Sequence, residues 1–266
     1  MRLFQIDVAL VPDFVEDDPN QRRSVVFVVV DVIRATTTLA VAFDSGCWRV
    51  LLAPDVETAL ERARREPGRF LLGGEREGVA PPGFDFGNSP AEYARTDLAG
   101  RELLFVTTNG TRALRACVGG YAVFAGSYRN AGAVAHAAIQ SARSSEITSI
   151  VIVCAGRENQ PAYDDILCAG YLARKITGRL EKMDYRVEME SGARIAAELS
   201  DAAMASTIPL RERLAESGAG RAVTRIGLEG DLDWCAASDE SHAAPYTVGV
   251  EGGLLVLEND NHDARS

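Results

Sequence analysis

Hydrophobic and polar positions along this chain fall into short apolar runs separated by helical patterns. Val25–Val30 is six consecutive apolar residues, five of them valine, and it stops at the charge of Asp31. Such a run reads as a strand buried on both faces, the kind found in a parallel sheet covered by helices. Leu103–Val106 and Ile150–Val153 have the same character. The pattern predicts further strands at 48–53, 69–72 and 121–125, alternating with helices over 36–45, 56–66, 110–117, 131–142 and 164–177. Asp55 is placed to cap the second of these helices. Residues 3–11 alternate Phe4, Ile6 and Val8 with Gln5 and Asp7, which predicts a half-buried edge strand. Residues 16–20 read as a loop. Residues 190–240 form a helical extension, broken near 218–220. Tyr246–Val250 and Leu254–Leu257 flank Gly252-Gly253 as a terminal hairpin. The fold class is therefore α/β: a three-layer αβα arrangement with a mainly parallel sheet. A single domain over 1–258 is expected, followed by a disordered tail at 259–266.

Three of the apolar runs end in the same kind of chemistry. After Val30 come Asp31, Arg34, Thr36, Thr37 and Thr38; after Val106 come Thr107, Thr108, Asn109, Gly110, Thr111 and Arg112; after Val153 come Cys154, Gly156 and Arg157, then Asp164 and Asp165. Ligands of open α/β sheets bind outside the carboxyl ends of strands, where helix N-termini point backbone donors at anions. Carboxylates, guanidinium groups and hydroxyls gathered there suggest a metal and phosphate site. A helix cap would explain any one of these motifs, but it explains three together less well.

Composition narrows the chemistry. The chain has 266 residues, 47% hydrophobic and 25% charged, which is globular. A net charge of −10 with no basic patch argues against a nucleic-acid partner. No run approaches a membrane span, and the start lacks a signal-peptide core, so a cytoplasmic location is expected. The five cysteines contain no Cys-x-x-Cys pair and read as reduced thiols. A tyrosine-phosphatase-type cysteine needs an arginine six residues on, but Gln160 stands there after Cys154. With only three histidines and no paired histidine motif, any bound metal must take oxygen ligands, which favours magnesium or manganese over zinc.

Taken in order, Val30–Thr38, Gly73-Gly74-Glu75-Arg76, Gly83–Pro90, Thr107–Ala113, and Cys154–Gly156 with Asp164–Gly170 resemble the 2-phosphosulfolactate phosphatase family. The resemblance continues to Leu228–Asp233 and covers most of the chain. It implies a magnesium-dependent phosphomonoesterase that removes phosphate from (R)-2-phospho-3-sulfolactate in the coenzyme M pathway, or from a related 2-phosphorylated hydroxy acid. The implied ligand is Mg2+, held by Asp31, Glu75 and Asp165; Asp164 stands where the family pattern has glutamate. Arg34 and Arg112 join Asp31 as catalytic candidates. Thr36, Thr37, Asn88, Ser89, Asn109, Gly110 and Thr111 are candidate donors to phosphate and substrate. Ser89 could also serve only as a helix cap, and the arginines only as salt-bridge partners. Asp31 could ligate metal for attack by water, the preferred reading, or form a phospho-aspartyl intermediate. The second aspartate that haloacid-dehalogenase phosphatases place two residues on is Ile33 here. The expected partner is a small anionic phosphorylated substrate, with a homodimer allowed and neither nucleic acid nor membrane expected. The alternative is a non-catalytic protein that binds an anionic metabolite in the same pocket.

Overall fold

The computed structural model describes residues 2–15 and 18–260. The strands are β1 (Leu3–Ala9), β2 (Val25–Val30), β3 (Arg49–Leu52), β4 (Phe70–Gly74), β5 (Glu102–Val106), β6 (Ala122–Gly126), β7 (Ser149–Cys154), β8 (Arg186–Met189), β9 (Pro245–Glu251) and β10 (Leu254–Asn259). They form one sheet in the order β4-β5-β3-β10-β9-β6-β2-β7-β1-β8. The helices are α1 (Pro19–Arg22), α2 (Ala35–Asp44), α3 (Val56–Arg65), α4 (Pro90–Ala94), α5 (Gly110–Ala116), α6 (Ala131–Ser144), α7 (Tyr163–Lys182), α8 (Ser191–Met204), α9 (Leu210–Ala215), α10 (Gly218–Arg225) and α11 (Asp231–Ala236). This is the three-layer α/β architecture that the alternating pattern predicts.

The valine run behaves as its composition demands: Val26, Val28, Val29 and Val30 are fully enclosed. Val26, Val28 and Val30 pack with α6, α7 and α8, whereas Phe27 and Val29 face α2 and α5. Every residue of α2 from Ala35 to Phe43 is buried, so this helix lies inside the molecule rather than on it.

The terminal hairpin is present, but it lies in the middle of the sheet. β10 pairs antiparallel with β3, and β9 touches β6 antiparallel at Phe124 and Tyr246. Two parallel blocks of opposite sense, β4-β5-β3 and β6-β2-β7-β1-β8, are thereby joined through β9 and β10. Val50, Leu52, Leu103, Phe105, Leu255 and Leu257 share one core with Phe27, Val29, Val123 and Ala125, so both blocks close around α2. Leu257 is fully buried and paired with Val50. Leu257→Ala is expected to cost about 2–5 kcal/mol by loss of transfer energy and creation of a cavity. Urea denaturation checks this, and a loss below about 0.5 kcal/mol would show that the hairpin is not part of the cooperative core.

Several sequence expectations need correction. β1 is not an edge strand, because β8 pairs with it on the outer side. Part of the segment read as a loop at 16–20 holds α1, while residues 16 and 17 lie outside the described residues. The helical extension splits into α8 to α11, and α10 begins at Gly218, where a break is predicted, because Ser217 caps it by accepting from Gly220 N–H at 2.9 Å. The strand β10 runs through Asn259, where the tail is predicted to start, and the Ala244 N–H bonds to the Asn259 side chain at 2.8 Å. The rest of that tail, 261–266, lies outside the described residues. The Asp55 cap is as expected, accepting from Thr58 N–H at 2.7 Å.

Candidate active site

The ends of β2, β5 and β7 and the loop after β4 converge on Asp31. Its backbone is fixed by Thr36, whose hydroxyl accepts from the Asp31 N–H at 3.2 Å and donates to the Asp31 carbonyl at 3.0 Å. The Thr37 hydroxyl donates to the Val32 carbonyl at 2.8 Å. Both threonines therefore close their own turn, and the Asp31 carboxylate is left as the group this turn presents.

From the opposite block, the turn after β5 brings Gly110 against it. A Cβ at Gly110 would lie 2.9 Å from Asp31 Oδ2 and 2.9 Å from the Ala35 methyl, so the approach requires glycine. Thr107 secures this turn by accepting from Thr111 N–H at 2.9 Å, with its hydroxyl 3.3 Å from that of Thr111. Asn109 stands at the helix start without a side-chain cap bond.

Asp31 keeps part of its surface accessible but is otherwise surrounded by protein. Burial, then the charges of Asp164 and Glu75, pushes it up to about 7, against backbone donors at Ala35 and Gly110. Burial also raises Asp164, to about 6, opposed by Ser217 and the charge of Arg157. Asp165 is driven well above the carboxylate range by burial and by the charges of Asp164 and Asp31. Three acids thus resist ionisation together, and a cation would relieve them.

The acids differ in what their oxygens already hold. Asp165 accepts from Val32 N–H and Gly156 N–H, both at 3.0 Å, and so stitches the turn after β2 to the turn after β7. Glu75 accepts from Gly78 N–H at 2.7 Å and from the Thr108 N–H and hydroxyl, each at 2.9 Å. Asp164, by contrast, has a buried Oδ1 with no hydrogen-bond partner among the described residues. Adjacent in sequence, the two aspartates of α7 are indistinguishable by pattern; only the fold shows which one keeps an oxygen open.

The arginines divide in the same way. Arg34 is buried; its Nη1 bonds Asp231 Oδ2 at 2.8 Å and its Nη2 the Gly78 carbonyl at 2.6 Å. Arg112 has a buried Nη2 with no partner among the described residues. An unpaired buried guanidinium nitrogen calls for an acceptor, which an anionic ligand supplies. Asn88 has a buried Oδ1 without a partner among the described residues, while its backbone carbonyl accepts from the Thr38 hydroxyl at 3.0 Å. Ser89 starts α4 without capping it, because its hydroxyl donates to Asp231 Oδ1 at 2.5 Å. Thr107 and Thr108 belong to a strand-end motif the sequence marks, though without a role of their own; Asp231 falls in the Leu228–Asp233 segment, and Ser217 is not singled out by the sequence.

Among the described residues, no three His, Cys, Asp or Glu side chains stand close enough to enclose a metal ion by themselves. Magnesium commonly takes one or two carboxylates and completes its shell with water and phosphate oxygens. Asp31 and Asp164, with the open Oδ1 of the latter, would suit that mode, whereas the oxygens of Glu75 and Asp165 already accept backbone N–H groups. A separate apolar groove of about 810 Å³, lined by Val8, Phe14, Val25, Phe27 and Val151 among others, shares none of these residues. Among the described residues no helix is long and apolar enough to cross a membrane.

Fold and site together define an α/β protein with a cluster of acidic and arginine side chains at its strand ends. The pattern of the 2-phosphosulpholactate phosphatase family matches residues 10–249, and the chain belongs to this family. It is 37% identical over 235 residues to a probable 2-phosphosulfolactate phosphatase of Thermus thermophilus, covering 88% of this chain and 92% of that one. A protein of the same name from Symbiobacterium thermophilum is 38% identical over 237 residues, covering 88% and 94%. One from Clostridium acetobutylicum is 30% identical over 252 residues, covering 92% and 98%. Such an enzyme is a phosphoric monoester hydrolase, and its substrate is a small phosphorylated anion.

Proposed function

We propose that the chain is a magnesium-dependent phosphatase that hydrolyses (R)-2-phospho-3-sulfolactate, or a related 2-phosphorylated hydroxy acid, to the free hydroxy acid and phosphate in a coenzyme M-type pathway. The observation that carries this reading is the unpartnered Arg112 Nη2 on the turn that packs against the Asp31–Asp164 acid pair. Asp31 and Asp164 would hold the cation, which would screen the phosphoryl charge and make water a better nucleophile. Arg112 binds phosphoryl oxygens and stabilises the charge that spreads over them as the ester bond breaks. Glu75 and Asp165 hold the surrounding turns through the backbone bonds described above and keep those donors aligned. A water attacks phosphorus in line as the bond to the C2 oxygen breaks. A carboxylate of the cluster takes up the water's proton, and the departing C2 oxygen gains a proton to leave as the hydroxyl.

Phosphate release from the purified protein should vanish with EDTA and return with magnesium or manganese. Full turnover in rigorously metal-free buffer would rule out the metal assignment. A panel of 2-phosphorylated hydroxy acids, with and without a sulfonate, tests the substrate. No phosphate from any member, alongside measurable binding, would leave an anion-binding protein instead.

A further inference from the structure

We propose that Asp231 is a positioning residue for phosphate binding, acting from the C-terminal helices on the turn that carries Arg112. The inference rests on the phosphatase reading given above. Asp231 is almost fully buried and opens α11, which belongs to the helical extension rather than to the strand-end loops. Its two oxygens reach two different elements, Arg34 in the turn after β2 at 2.8 Å and Ser89 at the start of α4 at 2.5 Å.

Arg34 passes the connection on. Its second nitrogen bonds the Gly78 carbonyl at 2.6 Å, and the Gly78 N–H bonds Glu75 at 2.7 Å. The other Glu75 oxygen takes the Thr108 N–H and hydroxyl. Thr108 lies in the turn that presents Gly110 to Asp31 and carries Arg112. A continuous series of hydrogen bonds therefore runs from α11 through two loops to the phosphate turn, buried at Asp231, half-buried at Gly78 and exposed at Thr108. The ion pair at its start is nearly free of solvent, with both side chains 3% exposed. In that setting each charge depends on the other for its place, and removing one leaves its partner buried and free to move.

The same residues could serve only to hold the extension down, and the experiment separates the two roles. Asp231→Asn should raise KM and the inhibition constant of inorganic phosphate together, by about 10- to 100-fold, with a smaller fall in kcat. The double variant Arg34→Met/Asp231→Leu replaces the buried pair with apolar side chains, a change that commonly preserves stability. It should melt near the wild-type temperature and still bind phosphate poorly. Ser89→Ala keeps the ion pair and removes one hydrogen bond, so it remains folded and should show a rise of about threefold. If the double variant melts normally and binds phosphate as the wild type does, Asp231 is only structural. An unchanged phosphate constant in Ser89→Ala also overturns the proposal. A wild-type protein that neither releases phosphate from any substrate nor is affected by it would instead defeat the phosphatase reading, so the two failures are distinguishable.

Discussion

Asp31→Asn is expected to abolish phosphate release, with a loss on the order of 10³-fold or more, and yet to yield a more stable protein. The exchange preserves shape and removes a charge that burial and the neighbouring Asp164 and Glu75 already oppose. Because the folded-state pKa is raised from 3.8 to about 7, the native protein binds this proton more tightly than the unfolded chain does. The contribution of Asp31 to stability is therefore lost as pH rises through that interval, and it is harmless below pH 4. In metal-free buffer at pH 8 the variant should gain roughly 2 kcal/mol, allowing for solvent screening at the accessible edge of the carboxylate. At pH 4 the gain should disappear. Thermal unfolding in EDTA at both pH values reads this directly. A variant that retains a tenth of wild-type turnover, or melts no higher at pH 8, would show that Asp31 is a turn residue rather than the centre of the acid cluster.

Arg112→Ala should produce the second large effect, a fall of about 10²- to 10³-fold in kcat/KM with little change in melting temperature. Its buried Nη2 has no hydrogen-bond partner among the described residues, so shortening the side chain breaks no hydrogen bond at that nitrogen among them. Lysine keeps the charge but not the planar fork and should recover only part of the loss. Phospholactate, which lacks the sulfonate, distinguishes what Arg112 grips. If it holds the transferred phosphoryl group, both substrates suffer equally, which is the expected result. If phospholactate is spared, Arg112 reads the sulfonate, and the phosphoryl oxygens must be bound by other groups.

Strand ends were legible in the sequence because their signal is local. Val25–Val30 must be buried on both faces, and the polar residues after it, after Val106 and near Asp164 could only gather where those strands stop. Asp31 and Gly110 follow from that logic. β8 does not, because Arg186–Met189 is an outer strand with exposed Arg186 and Glu188 and too little apolar contrast to stand out. The hairpin was legible as a hairpin, but its central position depends on partners some 200 residues away, at Val50–Leu52. The choice between Asp164 and Asp165 was equally hidden. Both are aspartates in the first turn of α7, and their roles diverge only because Val32 and Gly156 approach one of them. Ser89 looked like a cap for the same reason, since its real partner lies 142 positions away.

The central place of β9 and β10 has a consequence for how the molecule is made. During synthesis the β4-β5-β3 and β6-β2-β7-β1-β8 blocks can each begin to pair, but neither can be joined to the other until residues 245–259 have emerged. Until then β3 and β6 each present an unpaired edge, a template for association with other chains. The contacts that finally close the sheet connect distant parts of the chain, so this step carries a large loop-closure entropy and is slow relative to helix formation. A nascent chain that has formed both blocks thus still presents two open strand edges, at β3 and β6, until the hairpin inserts between them.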